Sequence, residues 1–73
     1  EMKIAIYPNP VNSILHIQYQ GELKTTVYDF LGKQLMETQL KTIDMSTMPN
    51  GMYIIQTTDS ISNKKNSYKV IKK

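Results

Sequence analysis

The chain has 73 residues, a formal net charge of +3, 40% hydrophobic and 21% charged residues, and no cysteine. This composition is typical of one small globular domain, and it excludes a disulfide-stabilised scaffold and a thiolate metal site. No apolar run reaches the roughly 20 residues of a membrane-spanning helix, and no signal peptide precedes the first strand pattern. We therefore expect residues 1–73 to be a single domain excised from a longer protein, without direct membrane insertion.

All the basic residues are lysines, and five of them fall within the last ten positions. A basic end of this kind can bind nucleic acid or an anionic surface. Base and phosphate recognition usually uses arginine, however, whereas lysine commonly protects an edge strand against aggregation. We therefore expect a lysine-guarded edge strand and no nucleic-acid partner. The five lysines are Lys64, Lys65, Lys69, Lys72 and Lys73.

The first part of the chain predicts two short strands separated by prolines. Lys3–Tyr7 is a candidate strand, and Pro8-Asn9-Pro10 ends it as a rigid corner, because proline fixes φ and has no backbone N–H. Ile14–Tyr19 then alternates with period two. Its apolar side chains share one face of the strand, opposite His16 and Gln18; they are Leu15, Ile17 and Tyr19.

The middle of the chain predicts a hairpin. Leu23–Tyr28 is rich in β-branched and aromatic residues, which favour a half-buried strand. Gly32 follows in a short turn, where we expect it to adopt the left-handed conformation. Gln34–Leu40 then returns beside Leu23–Tyr28, although its leucines would also tolerate a helix.

The last part of the chain predicts three further extended segments. Thr42–Met45 is short, and the turn-forming sequence from Ser46 to Gly51 separates it from Met52–Thr58, the strongest strand signal in the chain. Asp59–Asn66 is expected to be a polar loop, and Tyr68–Lys72 closes the chain. About seven short strands at roughly ten-residue spacing predict an all-β antiparallel sandwich or small barrel.

Residues that could carry catalysis are scarce. His16 is the only histidine, so a catalytic triad or a histidine-rich metal site lacks partners, and we expect His16 to be exposed. The acids stand singly, and Asp29 and Asp44 are expected to cap turns. The three glycines are isolated, which excludes a phosphate-binding glycine loop. We therefore expect neither an enzyme nor a cofactor or metal.

Four separated sequence blocks follow one another along the chain. They are YPNPV at Tyr7–Val11, VYDFLGK at Val27–Lys33, IDMSTMPNGMYII at Ile43–Ile55 and KVIKK at Lys69–Lys73. In order and spacing they closely resemble the type A C-terminal sorting domain of the type IX secretion system of Bacteroidetes, also called the Por secretion system. The sorting motif carried over by this resemblance comprises Pro8, Asn9, Pro10, Gly32, Lys33, Gly51, Tyr53, Lys69, Val70, Ile71, Lys72 and Lys73.

The resemblance implies a small immunoglobulin-like β-sandwich of about seven strands and a role as a C-terminal secretion signal. An upstream cargo domain would pass from the periplasm through the outer-membrane type IX translocon to the cell surface or extracellular space. A surface cysteine signal peptidase would remove the sorting domain at a site upstream, near or before Glu1. We expect KVIKK to be the recognition element, with its exposed strand pairing with a receptor edge through main-chain hydrogen bonds.

Two other functions are compatible with the same fold. A small β-sandwich can present tyrosines to a polysaccharide as a carbohydrate-binding or adhesion module, or it can serve as a spacer. Asp59-Ser60-Ile61 also resembles the acid–hydroxyl–apolar acceptor for O-glycosylation in the same bacteria, although an unmodified loop is the simpler interpretation of three residues.

Overall fold

The structure is a computed structural model that describes residues 3–73, so the expectations placed on Glu1 and Met2 lie outside the described residues. Seven strands and no helix occur in that range. Consequently, residues 3–73 contain no helix long and apolar enough to cross a membrane. The strands are β1 (Ala5–Tyr7), β2 (Ile14–Gln18), β3 (Leu23–Asp29), β4 (Gln34–Thr38), β5 (Thr42–Asp44), β6 (Gly51–Asp59) and β7 (Lys65–Lys72).

The strands form two antiparallel sheets. One sheet has three strands in the order β1-β2-β5, and the other has four in the order β4-β3-β6-β7. This is an immunoglobulin-like order in which β4 extends the sheet of β3, β6 and β7 instead of pairing with β5. The predicted all-β antiparallel sandwich is confirmed, and β7, which carries three of the five clustered lysines, is the predicted edge strand.

The core lies between the sheets and is filled by alternate residues of the strands. Leu15 and Ile17 are buried whereas His16 and Gln18 are exposed, which confirms the predicted faces of β2. In β6 the odd-numbered positions from Tyr53 to Asp59 point inward. The buried core comprises Val11, Leu15, Ile17, Leu23, Val27, Ile43, Met45, Tyr53, Ile55 and Val70.

Three strand boundaries differ from the prediction by two residues or more. β7 begins at Lys65 instead of Tyr68, because Lys65 pairs with Thr58 and the register then continues without interruption. The hairpin loop is correspondingly shorter and is closed by a hydrogen bond from the Asp59 amide to the Lys64 carbonyl. β4 ends at Thr38, whose hydroxyl accepts a hydrogen bond from the Leu40 amide and turns the chain. β1 begins at Ala5, two residues later than expected.

The registers place three connections and the C-terminal end of β7 at one end of the sandwich, called here the motif end. In the three-stranded sheet the end of β1, the start of β2 and the end of β5 are adjacent. In the four-stranded sheet the end of β3 lies beside the start of β6, which pairs with Lys72. A parallel bridge between Val11 and Lys72 joins these ends of the two sheets. The β1–β2, β3–β4 and β5–β6 connections therefore meet at the motif end.

Candidate recognition site

The side chain of Asn9 binds the outer edge of β7. Its Nδ2 donates to the carbonyl of Lys69 over 3.0 Å, and its Oδ1 accepts from the amide of Ile71 over 3.0 Å. A carboxamide has one acceptor and two donor hydrogens, so it can replace a peptide group of a neighbouring strand. The Asn9 side chain therefore takes the place that a further strand would occupy beside β7. Residues 3–73 form no such strand.

Val11 extends the same contact with its main chain. Its amide donates to the carbonyl of Ile71 over 2.7 Å, and its carbonyl accepts from the amide of Lys73 over 3.0 Å. The Val11 side chain is buried in the core. The segment from Asn9 to Val11 thus covers the outer edge of the C-terminal end of β7.

This arrangement corrects the expectation that the terminal block offers a free edge to a receptor strand. The Lys69 carbonyl, both main-chain groups of Ile71 and the Lys73 amide already have partners within the chain. Unpaired edge groups promote association with other chains, and the segment after β1 satisfies them here. These main-chain groups are therefore not available to a receptor strand.

The prolines place Asn9 at this position. β1 ends at Tyr7, directly before Pro8, which confirms that the prolines end the first strand. The peptide bonds Tyr7-Pro8 and Asn9-Pro10 are both cis. Because neither Pro8 nor Pro10 has an amide hydrogen, the hydrogen bonds of this corner come from the Asn9 side chain and from Val11.

The terminal block alternates between the core and the solvent. Val70 is buried and pairs with Tyr53, whereas Lys69, Ile71 and Lys73 are exposed. Lys72 also points inward and is only 7% exposed, and its Nζ donates to Asn50 Oδ1 over 3.4 Å. The aliphatic part of a lysine can be buried while its ammonium group reaches a polar partner. The burial of Lys72 was not predicted from the sequence, although it follows from the two-residue alternation of the strand, in which Lys72 lies on the same face as Val70.

Gly51 and Tyr53 connect the β5–β6 loop to the terminal block. Gly51 opens β6 with a φ of +152° and lies opposite Lys72, and this backbone region favours glycine. The Tyr53 ring is buried, and its hydroxyl donates to the Pro49 carbonyl over 2.5 Å. This contact fixes the loop that carries Asn50, the partner of Lys72.

Gly32 and Lys33 form the β3–β4 turn at the same end. Gly32 has a φ of +87°, which confirms the predicted left-handed residue. Asp29 Oδ1 accepts from the amides of Leu31 and Lys33, each over 2.9 Å, so the predicted cap at Asp29 is confirmed. The hydrogen bonds of Gly32 and Lys33 run to Asp29, and these two residues are near the terminal block without bonding to it.

Asp44 caps the β5–β6 connection in the same way. Its Oδ1 accepts from the Ser46 amide over 2.9 Å, as the sequence predicts. Hydrogen bonds from the hydroxyl and the amide of Ser46 lower the pKa of the Asp44 carboxyl. Both predicted caps therefore order connections at the motif end.

The predicted acceptor sequence around Ser60 lies at the end opposite the motif end. Ser60 is exposed in the β6–β7 loop, but Asp59 is mostly buried. Asp59 Oδ1 accepts from the amides of Ile61 and Ser62 over 2.8 Å, and Oδ2 accepts from the Tyr19 hydroxyl over 2.5 Å. The hydrogen bond from Tyr19, followed by those from the two amides, lowers the pKa of Asp59 from 3.8 to about 2. Asp59 thus orders the loop and joins the two sheets; glycosylation of Ser60 stays a prediction.

Other candidate groups do not assemble into a site. His16 is exposed, as predicted, and stacks on Tyr7 with ring centroids 5.5 Å apart. Tyr19 binds Asp59, Tyr53 is buried, and Tyr28 lies on the outside of the four-stranded sheet, so these three tyrosines lie in different parts of the sandwich. Residues 3–73 hold no group of three or more histidine, cysteine, aspartate or glutamate side chains that could bind a metal ion.

Comparison with known proteins agrees with the motif blocks. The family described as "Secretion system C-terminal sorting domain" matches residues 5–73. A structure of PorZ from Porphyromonas gingivalis, described as an essential bacterial surface component of the type-IX secretion system, is similar with a TM-score of 0.74 and 18% identity. The similarity covers 96% of this chain and 11% of the PorZ chain, and it supports the sandwich fold. None of the curated proteins compared with the chain matches it.

The family match covers nearly the whole chain, and the matched region contains every residue of the sorting motif. The order of the blocks and the two-sheet architecture agree with it. The chain therefore belongs to the family of secretion system C-terminal sorting domains, and its function is to direct a protein for export to the cell surface through the type IX secretion system.

Proposed function

We propose that the domain is a removable export address whose recognition element is the folded motif end. The observation that carries this proposal is the contact between the first and last motif blocks, in which Asn9 and Val11 hold Ile71 in place. A partner that reads this end meets the terminal block in one fixed conformation. Binding a preorganised surface avoids the entropic cost of ordering a free tail.

The partner that we assign to this surface is the outer-membrane type IX translocon, which would meet the domain in the periplasm. The side chains available to it from the terminal block are Lys69, Ile71 and Lys73, since Val70 and Lys72 point into the sandwich. This alternation favours recognition by side chains over addition of a receptor strand. In such a contact, the charges of the lysines determine which partner surface is selected, because oppositely charged surfaces complement each other.

We further propose that a cysteine-dependent signal peptidase at the surface removes the domain on its N-terminal side. Lys3 and Ile4 lie before β1 and belong to no strand, so cleavage on that side leaves every strand pair intact. The cargo would precede this point. We assign the domain itself no catalytic role, in keeping with the structural use of Asp29, Asp44 and Asp59 as caps.

An export assay tests this function. Residues 1–73 are fused behind a periplasm-directed fluorescent reporter and produced in a Bacteroidetes strain with an intact type IX system and in a translocon mutant. We expect reporter at the surface or in the medium only in the intact strain. Reporter that stays in the periplasm, while a known sorting domain is exported in parallel, would instead favour a binding or spacer module.

A pair of matched variants locates the recognition element. The first replaces the exposed side chains of the terminal block by alanine, at Lys69, Ile71 and Lys73, and leaves the buried Val70 and Lys72 unchanged. The control replaces Lys64, Lys65 and Ser67, which are equally exposed but lie toward the opposite end. Loss of export in the first variant alone supports the proposal. Equal export of both variants, each folded, would place recognition elsewhere.

A further inference from the structure

The outer face of the four-stranded sheet carries a contiguous apolar patch near the motif end. Strand alternation directs one set of side chains away from the core, and the registers place them side by side. Ile54 lies opposite Tyr28 on one side, and Met52 lies opposite Ile71 on the other. Leu35 adds to them from β4, where it is 40% exposed. The outer apolar patch, as used below, comprises Tyr28, Leu35, Met52, Ile54 and Ile71.

The outer face of the three-stranded sheet carries no comparable apolar patch among the described residues. The solvent-facing side chains of the three-stranded sheet are mostly polar or paired with each other, as in the stacked Tyr7 and His16. Ile14 is the one large aliphatic side chain that β2 exposes there, at 37%. Large exposed apolar patches on small proteins commonly mark interaction sites, whereas single exposed residues do not.

A cavity adjoins the patch at the motif end. It has a volume of about 270 Å³ and is lined mainly by apolar groups, among them Phe30, Leu35, Pro49 and Met52. Phe30 is 68% exposed at its rim. A space of this size is at the lower end for a drug-sized ligand, roughly 300 Å³, and suits an inserted apolar side chain of a partner protein.

The charges on the β7 side of the patch are positive. Lys69 lies opposite Ile54 at the edge of the patch, and Lys73 follows it on the same side of β7. Asp29 lines the adjoining cavity on the other side of the patch, and its carboxylate accepts from the amides of its own loop. Further along the face, Glu37 is paired with Lys24 over 3.9 Å. The patch is therefore apolar at its centre and cationic along its β7 rim.

We infer that the sorting domain docks through the outer apolar patch on a protein of the type IX secretion system whose own surface is apolar with carboxylates at its rim. This inference rests on the proposed function and adds the face of the sandwich that makes the contact. Apolar side chains bury area at the centre of such an interface, and rim charges select the partner and steer its approach. Ile71 and Lys69 of the terminal block thus form one continuous surface with the outward-facing side chains of β6 and β3.

The export fusion tests the inference with two matched pairs of variants. Ile54→Lys places a charge within the patch, and Gln18→Lys places the same charge on the outer face of the other sheet, at the end opposite the motif end. Lys69→Glu reverses the rim charge, and Lys65→Glu makes the same reversal four residues away on the same face of β7. We expect Ile54→Lys and Lys69→Glu each to lower the exported fraction by about tenfold, and the two controls to match the unchanged fusion.

Each outcome decides the question. If the unchanged fusion is not exported, the proposed function fails, and the patch has no role in sorting. If the fusion is exported and Ile54→Lys and Lys69→Glu are exported equally well, the docking face is wrong. A patch variant that dissociates a dimer in size-exclusion chromatography without loss of export would reassign the patch to self-association. Thermal unfolding of every variant verifies folding, and Leu35→Lys, at a patch position outside the terminal block, replaces Ile54→Lys if that variant does not fold.

Discussion

The carboxamide of Asn9 holds the main chain of Ile71, which lies 62 residues further along the sequence, through a hydrogen bond of 3.0 Å. A second bond of the same length joins Asn9 to the Lys69 carbonyl. One side chain between two prolines thus fixes both the position of the corner and the outer edge of β7. The two most widely separated blocks of the sorting motif are one structural unit.

We expect Asn9→Ala to lower the free energy of unfolding by about 1–2 kcal/mol, because two hydrogen bonds worth roughly 1 kcal/mol each are lost. The amide of Ile71 should exchange with solvent faster, as measured by hydrogen exchange. Asn9→Asp is the control, since it keeps the acceptor for Ile71 and loses the donor to Lys69. Unchanged exchange at Ile71 in Asn9→Ala would show that Val11 alone holds this edge.

The contact between Tyr19 and Asp59 predicts a dependence of stability on pH. The pKa of Asp59 is about 2 in the folded chain and lies below its ordinary value of 3.8. A carboxylate with a lowered folded-state pKa stabilises the fold above 3.8, and this stabilisation is lost as the pH falls toward 2. Thermal unfolding between pH 5 and pH 2 measures the loss. In Asp59→Asn the loss of stability between pH 5 and pH 2 should be smaller. If the variant and the unchanged chain lose stability equally in this range, the pH dependence does not come from Asp59.

At high pH the same hydrogen bond acts through Tyr19. The hydrogen bond to Asp59, with burial and the carboxylate charge, raises the pKa of the Tyr19 hydroxyl above 10.0. The neutral phenol is therefore favoured in the fold, so its contribution is present below pH 10 and is lost as the pH rises through the raised pKa. Ultraviolet titration of the chain, compared with Asp59→Asn, should show one tyrosine that ionises at lower pH in the variant.

Gly21→Ala should be destabilising for a steric reason. A Cβ at this position would lie 2.7 Å from Cε2 of Tyr19 and 3.4 Å from Oδ2 of Asp59, so we expect the ring to shift and its hydrogen bond to Asp59 to be disturbed. Overpacking of this kind costs about 1–3 kcal/mol. Chemical denaturation measures the cost, and NMR titration should show the pKa of Asp59 returning toward 3.8. Glu22→Ala, at the next position, is the control; an unchanged Asp59 pKa in Gly21→Ala would disprove the displacement of Tyr19.

Thr25 and Thr57 offer a stabilising substitution. They face each other across β3 and β6, both are fully buried, and neither hydroxyl has a hydrogen-bond partner among the described residues. A buried hydroxyl without a partner costs about 1–3 kcal/mol, so either Thr25→Val or Thr57→Val should raise the free energy of unfolding by about 1 kcal/mol. Thr58→Val, on the outer face of β6, should have little effect. A loss of stability in Thr25→Val would reveal a partner for its hydroxyl.

The strand pattern could be predicted because burial on one face imposes a two-residue period. The alternation of Leu15 and Ile17 with polar neighbours assigned β2 to the correct face, and the glycine at position 32 indicated a left-handed turn. The order of the four motif blocks was sufficient to indicate the family. These features depend on residues close together in the sequence or on their linear order.

The missed features depend on contacts between distant residues. Nothing near Asn9 indicates that its side chain bonds to Ile71, and the burial of Lys72 follows from the phase of Val70 together with the position of Asn50. The early start of β7 at Lys65 was missed because its first residues are polar, although they complete the ladder with Thr58. A free receptor-binding edge was expected because sequence pattern does not reveal what covers an edge strand.

The contact between Asn9 and β7 also has a consequence for folding kinetics. A loop of about sixty residues closes when this contact forms, and long-range closure slows folding. Until then the outer edge of β7 is open in the partly folded chain and is able to pair with the same edge of another molecule. The exposed lysines at positions 65, 69 and 73 repel such a second copy during this interval. Their charge thus favours correct folding over aggregation before the native edge is covered.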